Sequence, residues 1–306
     1  MRAGERRPRV TSAPATAARR VILDCDTRNE IDDQIAIAYA LGCDDLDVLG
    51  IVSVQNTVAS GPDSVDAYVA EARLMADLCG RPELPCLAGA RSPMETPTAP
   101  LESAGLDFIV EQARIAPITI LATGPITDVA SLALLHPGLR DRVSVVWAGA
   151  FPDEATWVHH RLGELNARAD VAAWRALYAS DLDLTVLPGW PAIERVAVDW
   201  REYSLRLRAL GGPATDYLAT IIAEWCAARE EQDGTRMPRK VLWDVVNVAL
   251  LREPAWVSLA DRDLPTLDAA GAPDYRRPSR SARMCLDVDH EAILADVWGA
   301  LERLPR

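Results

Sequence analysis

Short apolar runs rich in β-branched residues recur along the chain, separated by segments with helical patterning. This alternation is the feature that most constrains the fold, because strands that alternate with helices form a parallel sheet covered by helices. The runs that predict strands are residues 21–25, 46–54, 118–123, 143–149, 183–188 and 284–288. The sequence therefore predicts an α/β protein with an open, mostly parallel, Rossmann-like sheet and helices on both faces.

The intervals between these runs predict helices and loops. Helices are expected at 34–41, 64–79, 127–135, from after Lys240 to 251, and at 290–304. Two segments that are proline-rich or polar, 88–103 and 261–280, are interpreted as surface loops. Because no Gly- or Ser-rich linker divides the chain, residues 20–306 are predicted to form one catalytic domain. The basic residues 1–19 lack an apolar stretch and are predicted to be a disordered tail.

The formal net charge of −13 disfavours strongly anionic binding partners. Nucleic acids and anionic membranes both attract a concentrated positive field, so neither is an expected partner, and a small neutral ligand or a cation is favoured. No run approaches the roughly 20 apolar residues that a membrane span requires. Six cysteines are scattered without a C-x-x-C pair, which is typical of reduced, buried thiols in a cytoplasmic protein.

Acidic residues are densest just after the first predicted strand. Five acids lie within ten residues there: Asp24, Asp26, Glu30, Asp32 and Asp33. The start of a helix favours one or two carboxylates, but five repel one another unless a cation or protons neutralise them. Oxygen ligands suit a hard divalent cation, so the cluster predicts a metal site at the carboxyl end of this strand.

Several segments resemble motifs of one enzyme family. Residues 22–41 resemble the opening motif of the inosine-uridine type nucleoside hydrolases, in which a D-x-D strand end precedes a D-D pair and an apolar helix. Further similar segments follow in the family's order, at 50–56, 118–135, 163–174 and 242–251. The resemblance spans roughly residues 20 to 304 and implies the nucleoside hydrolase fold.

The resemblance also implies an activity and a site. It implies calcium-dependent hydrolysis of the N-glycosidic bond of a ribonucleoside, which gives ribose and free base, by a homodimer or homotetramer. Calcium would be held by Asp26, Asp33, Asp244 and the carbonyl of Thr123, and Asp26 would act as general base. The residues implied to bind the sugar are Asp32, Asn56, Glu164 and Asn166.

Two stretches depart from the family pattern. Two extra residues separate Asp26 from the D-D pair, so that Arg28, Asn29 and Glu30 either reach the ligand or, in the case of Arg28, offset the local negative charge. The segment from Met94 to Ser103 is shorter than the usual lid. The base pocket is therefore expected to be more open, or to be completed by another subunit.

The position that usually carries a histidine before the last calcium ligand is Trp243. Protonation of the leaving base by that histidine is therefore absent. Trp243, Trp157 or Trp147 could instead stack on the base, with His159 and His160 as hydrogen-bond donors nearby. A core-packing role for each tryptophan is an equal alternative.

Two other functions compete with this interpretation. A haloacid dehalogenase type phosphatase also begins with a D-x-D strand end, but that family expects Thr where this chain has Arg28. A catalytically impaired protein that binds ribose or a nucleoside would keep the metal and sugar residues and lack turnover.

Overall fold

The predicted apolar runs form the central strands of one large sheet. A computed structural model describes residues 18–28 and 30–306. The strands are β1 (Arg19–Cys25), β2 (Leu46–Ser53), β3 (Cys86–Ala88), β4 (Ile118–Ala122), β5 (Val143–Ala148), β6 (Asp183–Leu187), β7 (Ala197–Asp199), β8 (Arg239–Val241), β9 (Val257–Leu267) and β10 (Pro273–Val288). The short strands β7 and β8 form a separate antiparallel pair.

The large sheet has the strand order β3-β2-β1-β4-β5-β6-β10-β9. Neighbouring strands run parallel except β10 and β9, which are antiparallel. In chain order, β2 and β3 are added to one side of β1, and β4, β5 and β6 are then added to its other side. Where the building direction reverses, between β1 and β4, a crevice is expected at the carboxyl ends of the strands. The order confirms the predicted mostly parallel, Rossmann-like α/β fold.

Helices cover both faces of this sheet. The α-helices are α1 (Asp32–Leu41), α2 (Thr57–Ser60), α3 (Ser64–Leu78), α4 (Ala104–Ile115), α5 (Thr127–Leu135), α6 (Glu154–His160), α7 (Leu165–Ala169), α8 (Val171–Tyr178), α9 (Trp200–Leu210), α10 (Pro213–Asp233), α11 (Val245–Arg252) and α12 (His290–Leu301). Because side chains alternate along a strand, Val21 and Leu23 of β1 pack with α1, α3, α11 and α12, whereas Ile22 packs with α4, α5 and α8. The two apolar clusters therefore share the same central strands.

The predicted surface loop at 261–280 is wrong. Most of these residues belong to β9 and β10, which form an antiparallel hairpin at the sheet edge, and only 268–272 lie outside the strands. Edge strands expose many side chains and tolerate proline, so their sequence lacks the apolar alternation that marks a half-buried strand. Pro278 lies at a shift of register in the pairing of the two strands.

Other predictions about the chain have different outcomes. Residues 89–103 contain neither helix nor strand, as predicted, and the six cysteines are unpaired and buried. The predicted tail lies outside the described residues up to position 17, and its last residue, Arg19, belongs to β1. Within the part of the chain that the structure describes, no helix is both long and apolar enough to cross a membrane.

Candidate active site

A pocket opens at the carboxyl ends of the parallel strands. Asp26 follows β1, Thr123 follows β4, Ala148 ends β5 and Leu187 ends β6, and all four residues line the pocket. Acids dominate its polar lining: Asp26, Glu30, Asp32, Asp33, Glu164 and Asp244. No Lys or Arg among the described residues lines it. The site is therefore strongly negative, which suits a cation and disfavours an anionic ligand.

Three of the predicted calcium ligands, Asp26, Asp33 and Asp244, meet in this pocket. Each carboxyl group is almost fully buried. Burial, and then repulsion by the neighbouring acids, raises the pKa of Asp33 and of Asp244 well above the ordinary value. Burial raises the pKa of Asp26 to about 6, and hydrogen bonds from Asn56 and Asp33 limit the rise.

Side chains from other loops orient these acids. The Asn56 Nδ2 atom donates to Asp26 Oδ2 at 2.5 Å, and Thr123 Oγ1 donates to Asp33 Oδ1 at 2.7 Å. The Asn166 Nδ2 atom donates to the carbonyl oxygen of Thr123 at 2.7 Å. The predicted residues Asn56, Thr123 and Asn166 are therefore in direct contact with the acid cluster or with each other.

The remaining predicted sugar-binding residues, Asp32 and Glu164, also line the pocket. Asp32 lies in the first turn of α1, where its Oδ1 accepts from Lys240 Nζ at 3.2 Å and its Oδ2 accepts from Trp243 N at 3.3 Å. Glu164 Oε2 accepts from Ala167 N at 2.8 Å, and burial raises the pKa of Glu164 to about 7. Asp32 is therefore held by two hydrogen bonds from the segment that follows residue 239.

The donor set of the acid cluster fits a hard divalent cation such as calcium. Carboxylate and carbonyl oxygens are the ligands that such ions prefer. Buried like charges need neutralisation by a cation or by protons, and burial together with mutual repulsion already raises the pKa of these acids. Across residues 18–28 and 30–306, no group of three or more His, Cys, Asp or Glu side chains could hold a metal ion in this arrangement.

Two tryptophans form an aromatic wall of the pocket. The predicted stacking residue Trp243 and the unpredicted Trp190 both line it, with ring centroids 5.0 Å apart. His160 stacks on Trp190, with centroids 4.5 Å apart and ring planes 14° from parallel. Trp190 comes shortly after β6, so the rule that ligands bind beyond strand ends could have found it.

Four residues predicted as candidates for base recognition lie outside the pocket lining: Trp157, Trp147, His159 and His160. Trp157 lines a separate cavity, where the guanidinium of Arg161 lies 5.2 Å from its ring centroid. His159 is exposed, and its Nδ1 pairs with a backbone carbonyl of its own helix at 2.8 Å. Trp147 is fully buried and packs edge-on against Trp174 in the core.

The longer segment between Asp26 and the D-D pair contributes one residue to the pocket. Glu30 lines it, whereas Arg28 is exposed and absent from the lining. Arg28 has a φ of 90°, a backbone conformation that favours glycine. Asn29, the other residue predicted to reach the ligand, lies outside the described residues.

Sequence comparison identifies relatives over most of the chain. A family model described as inosine-uridine preferring nucleoside hydrolase matches residues 21–295. The pyrimidine-specific ribonucleoside hydrolase RihA of Salmonella schwarzengrund is 26% identical over 229 residues, which cover 67% of this chain and 69% of the relative. RihA of Citrobacter koseri is 28% identical over the same shares.

Solved structures with the same fold carry related names. A plant nucleoside hydrolase has a TM-score of 0.74 at 16% identity and covers 93% of this chain and 99% of its own. A purine-preferring ribonucleoside hydrolase from Gardnerella vaginalis has a TM-score of 0.73 at 19% identity, with shares of 93% and 98%. The family match argues against the phosphatase alternative. The chain belongs to the inosine-uridine preferring nucleoside hydrolase family, whose members are N-ribohydrolases.

Proposed function

We propose that the chain hydrolyses the N-glycosidic bond of a ribonucleoside with a bound calcium ion, releasing ribose and the free base. The observation that carries the proposal is the meeting of Asp26, Asp33 and Asp244 in one pocket that Thr123 also lines. These acids come from segments that are distant in sequence, and burying them together costs free energy because their negative charges repel. A bound divalent cation would remove that repulsion. The three carboxylates and the Thr123 carbonyl are the proposed ligands.

The residues around the proposed ion divide the chemistry among them. When bound, calcium would orient the ribose diol and lower the pKa of the attacking water. Asp26 is the general base that takes the proton from this water, and Asn56 fixes one of its oxygens. Asp32, Glu164 and Asn166, together with Asn56, bind the sugar hydroxyls. The negative pocket stabilises the positive charge that develops on the ribose as the glycosidic bond breaks.

The leaving base is proposed to stack on Trp243, with Trp190 beside it. The relatives include both a pyrimidine-specific and a purine-preferring enzyme by name, so both classes of base belong in the assay. We expect Trp243→Ala and Trp190→Ala to raise the KM of the preferred ribonucleoside about tenfold, because each removes a large apolar surface. The affinity for D-ribose should stay unchanged, since ribose has no base; an equal loss of ribose affinity would contradict stacking.

The test of function is the release of reducing sugar from a panel of purine and pyrimidine ribonucleosides. We expect release from at least one of them with calcium, loss of release with a chelator, and recovery when calcium is added back. Asp26→Asn should abolish release, whereas the matched surface change Asp289→Asn should preserve it. Binding of ribonucleosides without release from any of them would favour the impaired binding protein.

We further propose that residues 20–306 act as one catalytic domain within a cytoplasmic homodimer or homotetramer. The support for the assembly is the resemblance to a family whose members commonly form such oligomers. Light scattering coupled to size exclusion measures the mass in solution, and a monomer would refute this proposal without affecting the proposed reaction.

A further inference from the structure

Lys240 is the only lysine of the chain, and it is buried beside the candidate active site. Every other residue among the 32 Lys and Arg is an arginine. The Lys240 side chain lies on β8 and is 3% exposed. Arginine and lysine differ in shape, since arginine carries a planar fork and lysine a compact point charge. A chain that uses arginine at all other basic positions therefore keeps an ammonium group at this one.

The contacts of Lys240 link two segments of the site. Its Nζ donates to Glu30 Oε2 and to Asp32 Oδ1, the latter at 3.2 Å. Nζ also makes a cation–π contact with Trp225, at 4.8 Å from the centroid of its ring. The second oxygen of Asp32 accepts from the backbone N–H of Trp243. Both oxygens of one carboxylate are thus held by residues 240 and 243.

The ammonium group also opposes the charge of the acid cluster. Burial alone would lower the pKa of Lys240, but the carboxylates of Asp32 and Glu30 outweigh burial and raise it. Lys240 therefore remains charged at neutral pH. Burial and the other acids raise the pKa of Asp244, and the charge of Lys240 opposes that rise only in part.

We propose that the Lys240 ammonium is a positioning group that fixes Asp32 in the orientation that binds the sugar and ties the segment carrying Glu30 to β8. This inference rests on the proposed function, because Asp32 is a proposed sugar ligand there. A carboxylate whose oxygens are already oriented loses less conformational freedom when it accepts a hydrogen bond from a sugar hydroxyl. An arginine fork would meet Glu30 and Asp32 with different geometry and displace one of them.

The experiment compares Lys240→Met and Lys240→Arg with wild type, with calcium present. Steady-state kinetics give kcat and KM, calorimetric titration gives the Kd of D-ribose, and thermal unfolding reports the fold. We expect Lys240→Met to raise KM and the ribose Kd about tenfold, with a smaller change in kcat. The reason is that Asp32 contacts the sugar in the bound substrate as well as in the transition state, so its loss weakens both to a similar extent. Lys240→Arg should give values between those of wild type and Lys240→Met. Arg239→Met is the matched control on the same strand and should resemble wild type.

A double-mutant cycle separates positioning from a general loss of structure. In the Asp32→Asn background, Lys240→Met should produce no further rise in the ribose Kd. A further tenfold rise there would overturn the inference, as would wild-type KM and ribose Kd in folded Lys240→Met. If Lys240→Met does not fold, Lys240→Arg decides the question. A wild-type KM and ribose Kd in Lys240→Arg would overturn the inference, and raised values of both would support it. A wild-type protein that releases ribose from no ribonucleoside would refute the proposed function instead.

Discussion

Asp244 joins the acid cluster from a segment far along the chain. Its carboxyl group is buried against Asp26, Asp32 and Asp33, and it makes no side-chain capping bond to the helix that it precedes. The residue therefore contributes repulsion without stabilising α11. A structure that keeps such a group indicates that its charge serves a ligand rather than the fold.

We expect Asp244→Asn to stabilise the chelated protein and to inactivate the enzyme. Loss of one buried like charge should raise the free energy of unfolding in chelator by about 1 to 2 kcal/mol. Loss of a proposed cation ligand should lower kcat/KM about a thousandfold. Unfolding with chelator and with calcium measures the first effect, and sugar release the second.

The surface variant Asp289→Asn is the matched control for this change. Asp289 is exposed and caps α12, where asparagine caps equally well, so the same loss of charge should leave activity and stability unchanged. A chelated Asp244→Asn protein that is less stable than wild type would contradict the account of Asp244 as a repelling group.

Glu164 should make the stability of the fold depend on pH. Burial raises its pKa from 4.5 to about 7, so the folded state favours the protonated form. Its contribution to stability is fully present below pH 4.5 and is lost as the pH rises through 7. The free energy of unfolding of wild type, relative to Glu164→Gln, should therefore fall by about 2 to 3 kcal/mol from pH 4.5 to 7.5. Urea unfolding at several pH values measures this difference, and parallel curves would refute the assignment.

Single residues of the site differ in how far the sequence alone could predict them. Asp26, Asp32 and Asp33 are close in sequence to one strand end, so local pattern predicts their proximity. The contacts of Lys240 join segments that are distant in sequence, and no local pattern encodes such pairs. Trp157 shows the converse limit, because an aromatic residue of the right type near the site packs into another cavity.

At the scale of elements, burial decides which strands the sequence predicts. The strands β1, β2, β4, β5 and β6 are largely buried and read as apolar runs, so their positions are predicted to within a few residues. Only residues 284–288 of the edge hairpin were predicted as a strand, and the rest of β9 and β10 was missed because buried and exposed side chains do not alternate regularly along it. Its stability therefore depends on backbone pairing and on residues that it buries in both apolar clusters, such as Val257 and Leu264.

Gly271 provides a test at the tip of this hairpin. It has a φ of 83°, and a Cβ placed on it would lie 3.1 Å from a methyl group of Val171. Gly271→Ala should therefore lower the free energy of unfolding by about 1 to 2 kcal/mol. Gly138 is the matched control, because its Cβ would meet no atom within 4 Å, and Gly138→Ala should be neutral or stabilising by about 0.5 kcal/mol. Equal effects of the two changes in urea unfolding would contradict the strain at Gly271.

At the scale of the whole molecule, the two apolar clusters are coupled through shared strands. Alternate residues of β1, such as Leu23 and Ile22, belong to the cluster on one face and to the cluster on the other. The helices on both faces pack against the same strands, so unfolding the helices on one face would also destabilise the strands. The fold should therefore unfold as one unit, in agreement with the proposed single domain.

We expect one unfolding transition when two probes on opposite faces are compared. Trp147 is buried in one cluster and Trp200 in the other. Because the chain has nine tryptophans, the difference in fluorescence between wild type and Trp147→Phe reports on one face, and the difference between wild type and Trp200→Phe reports on the other. Both midpoints should coincide with the loss of helix by circular dichroism. Calcium at about 100 times the Kd of the proposed site should shift all three together by about 2.7 kcal/mol, because the proposed ligands meet only in the folded chain. Separate transitions, or a calcium shift confined to one probe, would show that the two faces unfold independently and would refute a single cooperative domain.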